Sequence, residues 1–275
     1  MNSGAAAANR LPPYFAFGRK KKMKVEFLSV GSCMPEMEQA DTVSLLLNGH
    51  TMVDTGWHAV RNLLRAGIDP KEIRTIFFTH MHQDHYLGLA QFLFYLMNGY
   101  HDFGTLCIYG PEDIEEIASL ALRYAGYERH YADIPLPKIR QLPSTGKMDF
   151  DEIQVRWIPS HHAAPGRCYQ FQGLNEKESV TYSGDTARFK EMVDFVHGSK
   201  ILIHESSFGA RSAPTPNPYG HSSAMDAAKA ALKAGVERLY LVHCGKEGRR
   251  AAIEAAQEIF PNTSYPKENE TFLLL

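Results

Sequence analysis

The chain has 275 residues, of which 44% are apolar and 22% charged, so it is long enough to bury a sizeable core. A formal net charge of -2 argues against a strongly basic nucleic-acid binder, although one face could still carry a basic patch. No stretch approaches the ~20 apolar residues that cross a bilayer, and residues 1–22 lack the order of a secretory signal, so we expect a cytoplasmic protein. The four cysteines form no CxxC pair, which argues against a disulfide framework or an all-cysteine zinc site.

Residues 1–22 show no periodic pattern, whereas a clean strand follows from Met23. We expect residues 1–22 to be a disordered extension or the product of a wrongly assigned start, and residues 23–275 to form a single domain. The run of three lysines at 20–22 is more typical of a solvated tail than of a nucleic-acid contact.

Short β-rich runs alternate with helical runs along the chain. In the first half, strands are predicted at 24–30, 43–47, 51–54, 75–80 and 106–110, and helices at 57–66, 87–96 and 112–126. Asn48-Gly49 between two apolar runs predicts a hairpin. In the second half, strands are predicted at 139–142, 153–159, 168–171, 180–183, 201–205, 238–243 and 271–275, with helices at 187–196, 222–235 and 250–259. This order predicts an α/β fold of two sheet layers with helices on both outer faces.

The sequence THMHQDH at residues 79–85 follows the predicted strand that begins at Thr75. A strand that ends in this pattern can aim His80 and His82 at one point while Asp84 and His85 turn towards a second. Imidazole nitrogen and carboxylate oxygen are ligands of a hydrolytic metal such as zinc, at ~2.0 to 2.2 Å. The motif therefore predicts a site for two metals, against the alternative of a polar loop that is rich in histidine by chance.

Further ligands are expected where other apolar strands stop, in SHHAAPGRCY, YSGDT and LVHCG. Strand ends are where α/β folds display their chemistry. Asp185 is a candidate bridging carboxylate, and the alternative is a turn aspartate that follows Gly184.

Together these motifs resemble the metallo-β-lactamase superfamily, from about residue 23 to the C-terminus. The resemblance implies an αββα four-layer sandwich with its metals at one edge. VDTG at residues 53–56 is similar to the first family motif, which implies that Asp54 supports the metal loops without being a ligand. The family pattern implies two groups of ligands bridged by Asp185: His80, His82 and His162 for the first metal, and Asp84, His85 and His243 for the second.

His162 is preferred to His161 because HAAPGRCY resembles the family's histidine followed by a proline-containing turn. Zinc is the expected metal, and this ligand set would also accept manganese or iron. Two such ions would generate a hydroxide near neutral pH and polarise the scissile group, so the predicted reaction class is metal-assisted hydrolysis.

The segments IHESSF and GHSSAMDAAKAALKAGVERLYLVH resemble the ribonuclease Z and phosphodiesterase branch of the superfamily. The resemblance implies that Glu205 pairs with His221 as a general acid, which with Asp84 completes the predicted catalytic set. The alternative is that Ser222 caps a helix and His221 packs beside it. Two departures stand out: the long arm of many ribonuclease Z enzymes is missing between His162 and Asp185, and Gln83 occupies a position that is usually small.

These observations predict a dinuclear-metal phosphodiesterase that acts on RNA 3′ ends, cyclic nucleotides or another small phosphodiester. The missing arm puts tRNA processing in doubt. The alternatives are a lactone or ester hydrolase on the same metal site and a non-catalytic metal or nucleotide sensor. A redox diiron role would require a glutamate where His82 stands. We expect a homodimer because relatives often form one, and no membrane partner.

Overall fold

The computed structural model describes residues 22–34, 41–99, 103–150, 153–173 and 179–274. The predicted extension at 1–22 therefore lies, apart from its last residue, outside the described residues, and the single domain at 23–275 stays a prediction. No helix within these described ranges is both long and apolar enough to cross a membrane.

Within the described residues, the first half of the chain forms six strands and five helices. The strands are β1 (Lys24–Ser29), β2 (Ser44–Leu47), β3 (Thr51–Val53), β4 (Thr75–Phe77), β5 (Cys107–Gly110) and β6 (Lys138–Gln141). The helices are α1 (Ala59–Arg65), α2 (Gln83–Tyr86), α3 (Gly88–Asn98), α4 (Ile114–Tyr124) and α5 (Tyr127–His130).

The second half contains the remaining strands and helices. The strands are β7 (Gly146–Phe150), β8 (Ile153–Pro159), β9 (Arg167–Gly173), β10 (Ser179–Tyr182), β11 (Ile201–Glu205), β12 (Arg238–Val242), β13 (Thr263–Ser264) and β14 (Thr271–Leu273). The helices are α6 (Lys190–Val196), α7 (Ala224–Ala234) and α8 (Arg249–Gln257). Short 3-10 turns lie at Pro70–Glu72, Phe103–Thr105 and Lys246–Gly248.

The described strands form two seven-stranded mixed sheets, in the orders β14-β1-β2-β3-β4-β5-β6 and β13-β12-β11-β10-β9-β8-β7. In each sheet an antiparallel meander leads into a parallel set, β3 to β6 in the first and β10 to β13 in the second. The two halves of the chain thus share one pattern of strand pairing, although no sequence similarity between them is visible.

Side chains that alternate along the strands divide the core into three layers. Val25, Phe27 and Phe77 lie between the two sheets, where Phe77 packs 5.5 Å from Tyr169 and 5.9 Å from Phe171 between ring centroids. The opposite face of the first sheet packs on α1, α3 and α4, and that of the second sheet on α6, α7 and α8. The layer order is therefore αββα, which confirms the predicted fold class.

Most predicted elements are present, with differences at their ends. The Asn48-Gly49 hairpin is confirmed, with φ of 52° and 79° at these two residues, as a primed turn requires. The prediction misses β7, whose sequence GKMDF is mostly polar, the two-residue β13, and the one-turn helices α2 and α5. Its helix at 187–196 begins only at Lys190, because Phe189 is extended, with φ of -142° and ψ of 161°.

Candidate active site

The THMHQDH segment spans the turn from β4 into α2. His80 makes an isolated β-bridge with Gly166, which ties the end of the first sheet to the start of β9. His82 is the extended residue before α2, and Asp84 and His85 occupy its single turn. Side chains from an extended segment and a helical turn therefore point to different parts of one edge, as the motif predicts.

All seven predicted ligands meet at this edge in two adjoining groups. The ligand atoms within each group lie within 4.8 Å of one another. The first group is His80, His82 and His162, and the second is Asp84, His85, Asp185 and His243.

Asp185, the candidate bridging residue, lies between the two groups. Its Oδ2 is 3.8 Å from Nε2 of His80 in the first group, and 3.5 Å from Nε2 of both His85 and His243 in the second. Asp84 belongs to the second group alone, where its Oδ2 is 3.2 Å from Nε2 of His243 and 3.3 Å from Nε2 of His85. In the first group, His82 Nδ1 and His162 Nε2 are 3.0 Å apart.

Buried polar atoms at the cluster lack hydrogen-bond partners among the described residues. They are Nε2 of His80, Nε2 of His85 and Oδ1 of Asp185. Buried polar atoms are almost always paired, so three orphans on converging ligands call for a further group at their centre. A divalent cation fits this donor set, because imidazole nitrogen and carboxylate oxygen are its ordinary protein ligands.

Neighbouring groups orient the imidazoles through their other nitrogen. Asp54 Oδ2 lies 2.8 Å from Nδ1 of His85, and the same carboxylate accepts hydrogen bonds from the backbone amide and hydroxyl of Thr79, both at 2.8 Å. Nδ1 of His162 donates to the Gly220 carbonyl at 3.0 Å. These contacts leave Nε2 of both histidines facing the cluster, and such partners typically tune metal affinity. The supporting role implied for Asp54 agrees with this geometry.

Local backbone geometry at the site is unusual. Asp54 and His243 each have a φ of 58°, a region that non-glycine residues rarely occupy and that is often found at functional sites. Gly184 and Gly220 have positive φ as well, and a Cβ on Gly220 would lie 2.6 Å from the His162 Cα. Gly220 is therefore required for the loop before α7 to approach His162.

Glu205 and His221 form a hydrogen-bonded pair beside the second group. Glu205, fully buried at the end of β11, lies with its Oε1 2.9 Å from Nδ1 of His221. The same oxygen accepts from the backbone amides of Thr186 and Ser222 at 3.1 and 3.0 Å, and Oε2 accepts from the amide and hydroxyl of Ser207. Ser223, not Ser222, caps α7, in a capping box with its third helical residue. His221 is thus held by a fixed carboxylate and does not merely pack beside a helix cap.

Burial and close charges together set the protonation of the cluster. Burial opposes ionisation of Asp84 and Asp185, but the adjoining imidazoles of His85 and His243 hold the pKa of both carboxyls well below the usual value. Burial lowers the pKa of three imidazoles below the ordinary value, although nearby carboxylates oppose it: His80, His82 and His162. For His85 and His243, the charge of the nearby carboxylates outweighs burial and raises the pKa above the ordinary value. Metals bind ionised carboxylates and neutral imidazoles, so these two histidines must lose a proton when a metal binds.

Two residues that the sequence left open fall outside the clusters. His161 is exposed, and its ring stacks on Phe189 with centroids 4.2 Å apart and planes 9° apart. His162 lies with the candidate ligands His80 and His82, as expected from the sequence, and His161 does not. Gln83 begins α2 with an exposed side chain.

Ser207 and Asn217 are site residues that the sequence did not indicate. The Ser207 hydroxyl lies 2.9 Å from Nδ1 of His243 and 2.8 Å from Oε2 of Glu205, so it links a candidate ligand to the Glu205 pair. Asn217 holds the segment before His221 by accepting from the Gly220 amide at 3.1 Å and donating to the His221 carbonyl at 2.6 Å. Ser206 and Ser207 both follow Glu205, and the sequence alone does not indicate which of the two hydroxyls points into the site.

The family model for the beta-lactamase superfamily domain matches residues 51–244. Among curated proteins, the ribonuclease Z of Methanothermobacter thermautotrophicus is 28% identical, over 88% of this chain and 93% of that protein. The metallo-beta-lactamase fold protein YhfI from Bacillus subtilis superposes with a TM-score of 0.78 at 21% identity, over 92% of this chain and all of that one. Human tRNase Z, short form, superposes with a TM-score of 0.73 at 18% identity, over 92% of this chain and 99% of that one. At these identities the two structures support the fold alone.

Proposed function

The chain belongs to the beta-lactamase superfamily, and from that premise we propose that it is a metal-dependent phosphodiesterase of the ribonuclease Z type. The observation that carries the proposal is the Glu205 and His221 pair beside the cluster of Asp84, His85, Asp185 and His243. Ribonuclease Z relatives that align over most of the chain support the same reaction class.

Membership of the superfamily implies divalent metal ions, and we propose two, with zinc as their identity. His80, His82 and His162 would hold the first, Asp84, His85 and His243 the second, with Asp185 between them. When bound, the ions supply Lewis-acid activation of water and of the phosphoryl group. The orphaned atoms of His80, His85 and Asp185 support this assignment.

His221 is the proposed general acid. Its Nδ1 is engaged by Glu205, which leaves Nε2 as the nitrogen that can give a proton to the leaving alkoxide. Burial alone would lower the pKa of His221, but the hydrogen bond and charge of Glu205 raise it above the usual value, which favours the protonated form that can donate. Asp84, whose low pKa keeps it ionised, would act as a ligand that keeps the second group of imidazoles in position.

The substrate is a phosphodiester: an RNA 3′ end, a cyclic nucleotide or another small diester. β9 and β10 form an antiparallel pair joined by residues 174–178, so a long arm is missing at this point of the chain. This connection supports a substrate that is not gripped by such an arm. Cytoplasmic location and a homodimer stay predictions.

The proposal is tested with the purified full-length chain against bis(p-nitrophenyl) phosphate, a lactone and precursor tRNA, each with and without chelator. We expect chelator-sensitive hydrolysis of the phosphodiester, restored by zinc, and elemental analysis with about two ions per chain. Cleavage of the lactone in preference to every phosphodiester would contradict the proposal.

A further inference from the structure

The Ser207 hydroxyl lies among three side chains of the candidate active site. Its Oγ is 2.8 Å from Oε2 of Glu205, 2.9 Å from Nδ1 of His243 and 3.1 Å from Nδ1 of His221. Glu205 and His221 are the proposed acid pair, and His243 is a candidate metal ligand. Atoms of these three side chains that could bind a metal lie within 4.8 Å of one another. One hydroxyl therefore contacts both the acid pair and the second group of candidate ligands.

The direction of each hydrogen bond at Ser207 follows from the number of protons available. A hydroxyl has one proton to donate and two lone pairs with which to accept, whereas a carboxylate only accepts. Both oxygens of Glu205 already accept backbone amides, so the Ser207 proton points to Oε2. Nδ1 of His243 must then donate to Oγ of Ser207. Nε2 is left as the nitrogen of His243 that can bind a metal.

The imidazole of His221 donates its Nδ1 proton to the carboxylate and not to the hydroxyl. Nδ1 is 2.9 Å from Oε1 of Glu205 and 3.1 Å from Oγ of Ser207. The hydrogen bonds thus run from His243 through Ser207 to Glu205, which accepts from His221 on its other oxygen. Histidines that bind metals commonly donate their second nitrogen to a carboxylate, and here a hydroxyl lies between the two groups.

We propose that Ser207 is a positioning residue that couples the metal site of His243 to the pair of Glu205 and His221. The hydroxyl keeps His243 in the tautomer whose Nε2 can bind a metal. Its hydrogen bond to Glu205 polarises it, and this makes the imidazole a stronger ligand. The charge of Glu205 therefore contributes to metal affinity, although this carboxylate is not a ligand. The inference rests on the proposed function only for the role of His221 as the acid.

Variants at two neighbouring serines separate the hydroxyl from its surroundings. In Ser207→Ala the backbone amide still donates to Oε2 of Glu205, at 2.9 Å, so the carboxylate stays in place. Ser207→Thr keeps a hydroxyl at this position. The matched control is Ser206→Ala, because the Ser206 hydroxyl is directed to the Val242 carbonyl at 2.9 Å.

The coupling is tested by a double-mutant cycle on zinc affinity, in which metal-free protein competes with a fluorescent chelator for zinc. Ser207→Ala should raise one of the two zinc Kd values about tenfold, and Glu205→Gln should raise the same value about fivefold. When Ser207 is already alanine, Glu205→Gln should change that Kd by less than about twofold, since only coupled residues depart from additivity.

Ser207→Thr and Ser206→Ala should both bind zinc within about twofold of the parent protein. Equal effects of Glu205→Gln with and without the Ser207 hydroxyl would overturn the proposal, as would a loss of affinity in Ser206→Ala as large as that in Ser207→Ala. If thermal unfolding shows that Ser207→Ala does not fold, Ser207→Val replaces it in the cycle, because valine has the shape of threonine without the hydroxyl.

Zinc binding is measured without substrate, so the test stands apart from the proposed function. A protein that shows the coupling and fails to hydrolyse bis(p-nitrophenyl) phosphate would refute the phosphodiesterase alone. A protein that hydrolyses the diester, and in which the two substitutions act independently on zinc affinity, would refute the coupling alone.

Discussion

Nδ1 of His221 lies 2.9 Å from Oε1 of Glu205, and this carboxylate is buried at the end of β11. Besides His221, it accepts hydrogen bonds from the amides of Thr186, Ser222 and Ser207 and from the Ser207 hydroxyl. Glu205 therefore keeps its position when His221 is replaced, and the imidazole can be tested without dismantling its support.

Replacing His221 with Ala should lower kcat for a phosphodiester by about 10² to 10⁴, because the leaving oxygen loses its proton donor. The metal content should stay near that of the parent protein, since His221 is not among the proposed ligands. Turnover is measured by initial rates and metal content by elemental analysis, with His130→Ala as the control. Full activity in the His221 variant would refute the acid role.

Replacing Glu205 with Gln tests the source of the raised pKa of His221. Burial lowers this pKa and the Glu205 carboxylate raises it, so loss of the charge should lower it. The acid must be protonated to act, so the alkaline limb of the kcat/KM profile should move to lower pH. A matched substitution at exposed Glu116 should leave the limb in place. If the alkaline limb of the Glu205 variant stays at the same pH, a group other than His221 determines that limb.

Asp54→Asn should weaken metal binding by about 10- to 100-fold, because the carboxylate that orients His85 and Thr79 is lost. Asparagine tolerates the φ of 58° at this position, so the backbone is preserved. Calorimetric zinc titration of the metal-free protein measures the change, with exposed Asp133→Asn as the control. Unchanged affinity would mean that Asp54 only shapes the loop.

Asp185→Ala tests the proposed ligand set, since its carboxylate lies between both groups of ligands. Elemental analysis should give at most one ion per chain, against the two that we expect for the parent protein. The thermal shift that zinc produces should shrink as well, because a ligand present at 100 times its Kd adds about 2.7 kcal/mol to the free energy of unfolding. Two tightly bound ions in this variant would rule out the bridging assignment.

Thiol accessibility provides a test of the fold that is independent of the site. Cys33 is exposed, whereas Cys168 lies fully buried between β9 and the outer helices, where burial raises the pKa of its thiol. Cys33 should react rapidly with a disulfide reagent and Cys168 only on unfolding, because the thiolate is the reactive form. Mass spectrometry of the labelled peptides identifies the sites, and rapid labelling of Cys168 would contradict the packing of this layer.

Much of the fold was predictable because alternation of apolar residues reports which strands are buried on one face or both. β1, β8 and β11 lie where the pattern indicates. β7 was missed, since an edge strand exposed to water needs no apolar alternation, and it is held by its pairing with β8. The common topology of the two sheets was equally invisible, because backbone hydrogen bonding and not residue identity defines it.

The sequence by itself determined the kind of chemistry: His80, His82, Asp84 and His85 stand within six positions, and their side-chain types and spacing are a local property. Their meeting with Asp185 and His243, a hundred residues or more away, was inferred from family resemblance and depends on which strands end at the same edge. Only the tertiary structure decided which polar atoms turn inward, as for Ser207 and the Gly220 carbonyl. Hydrogen-bond direction there depends on backbone conformation and on neighbours from other strands, which no local pattern records.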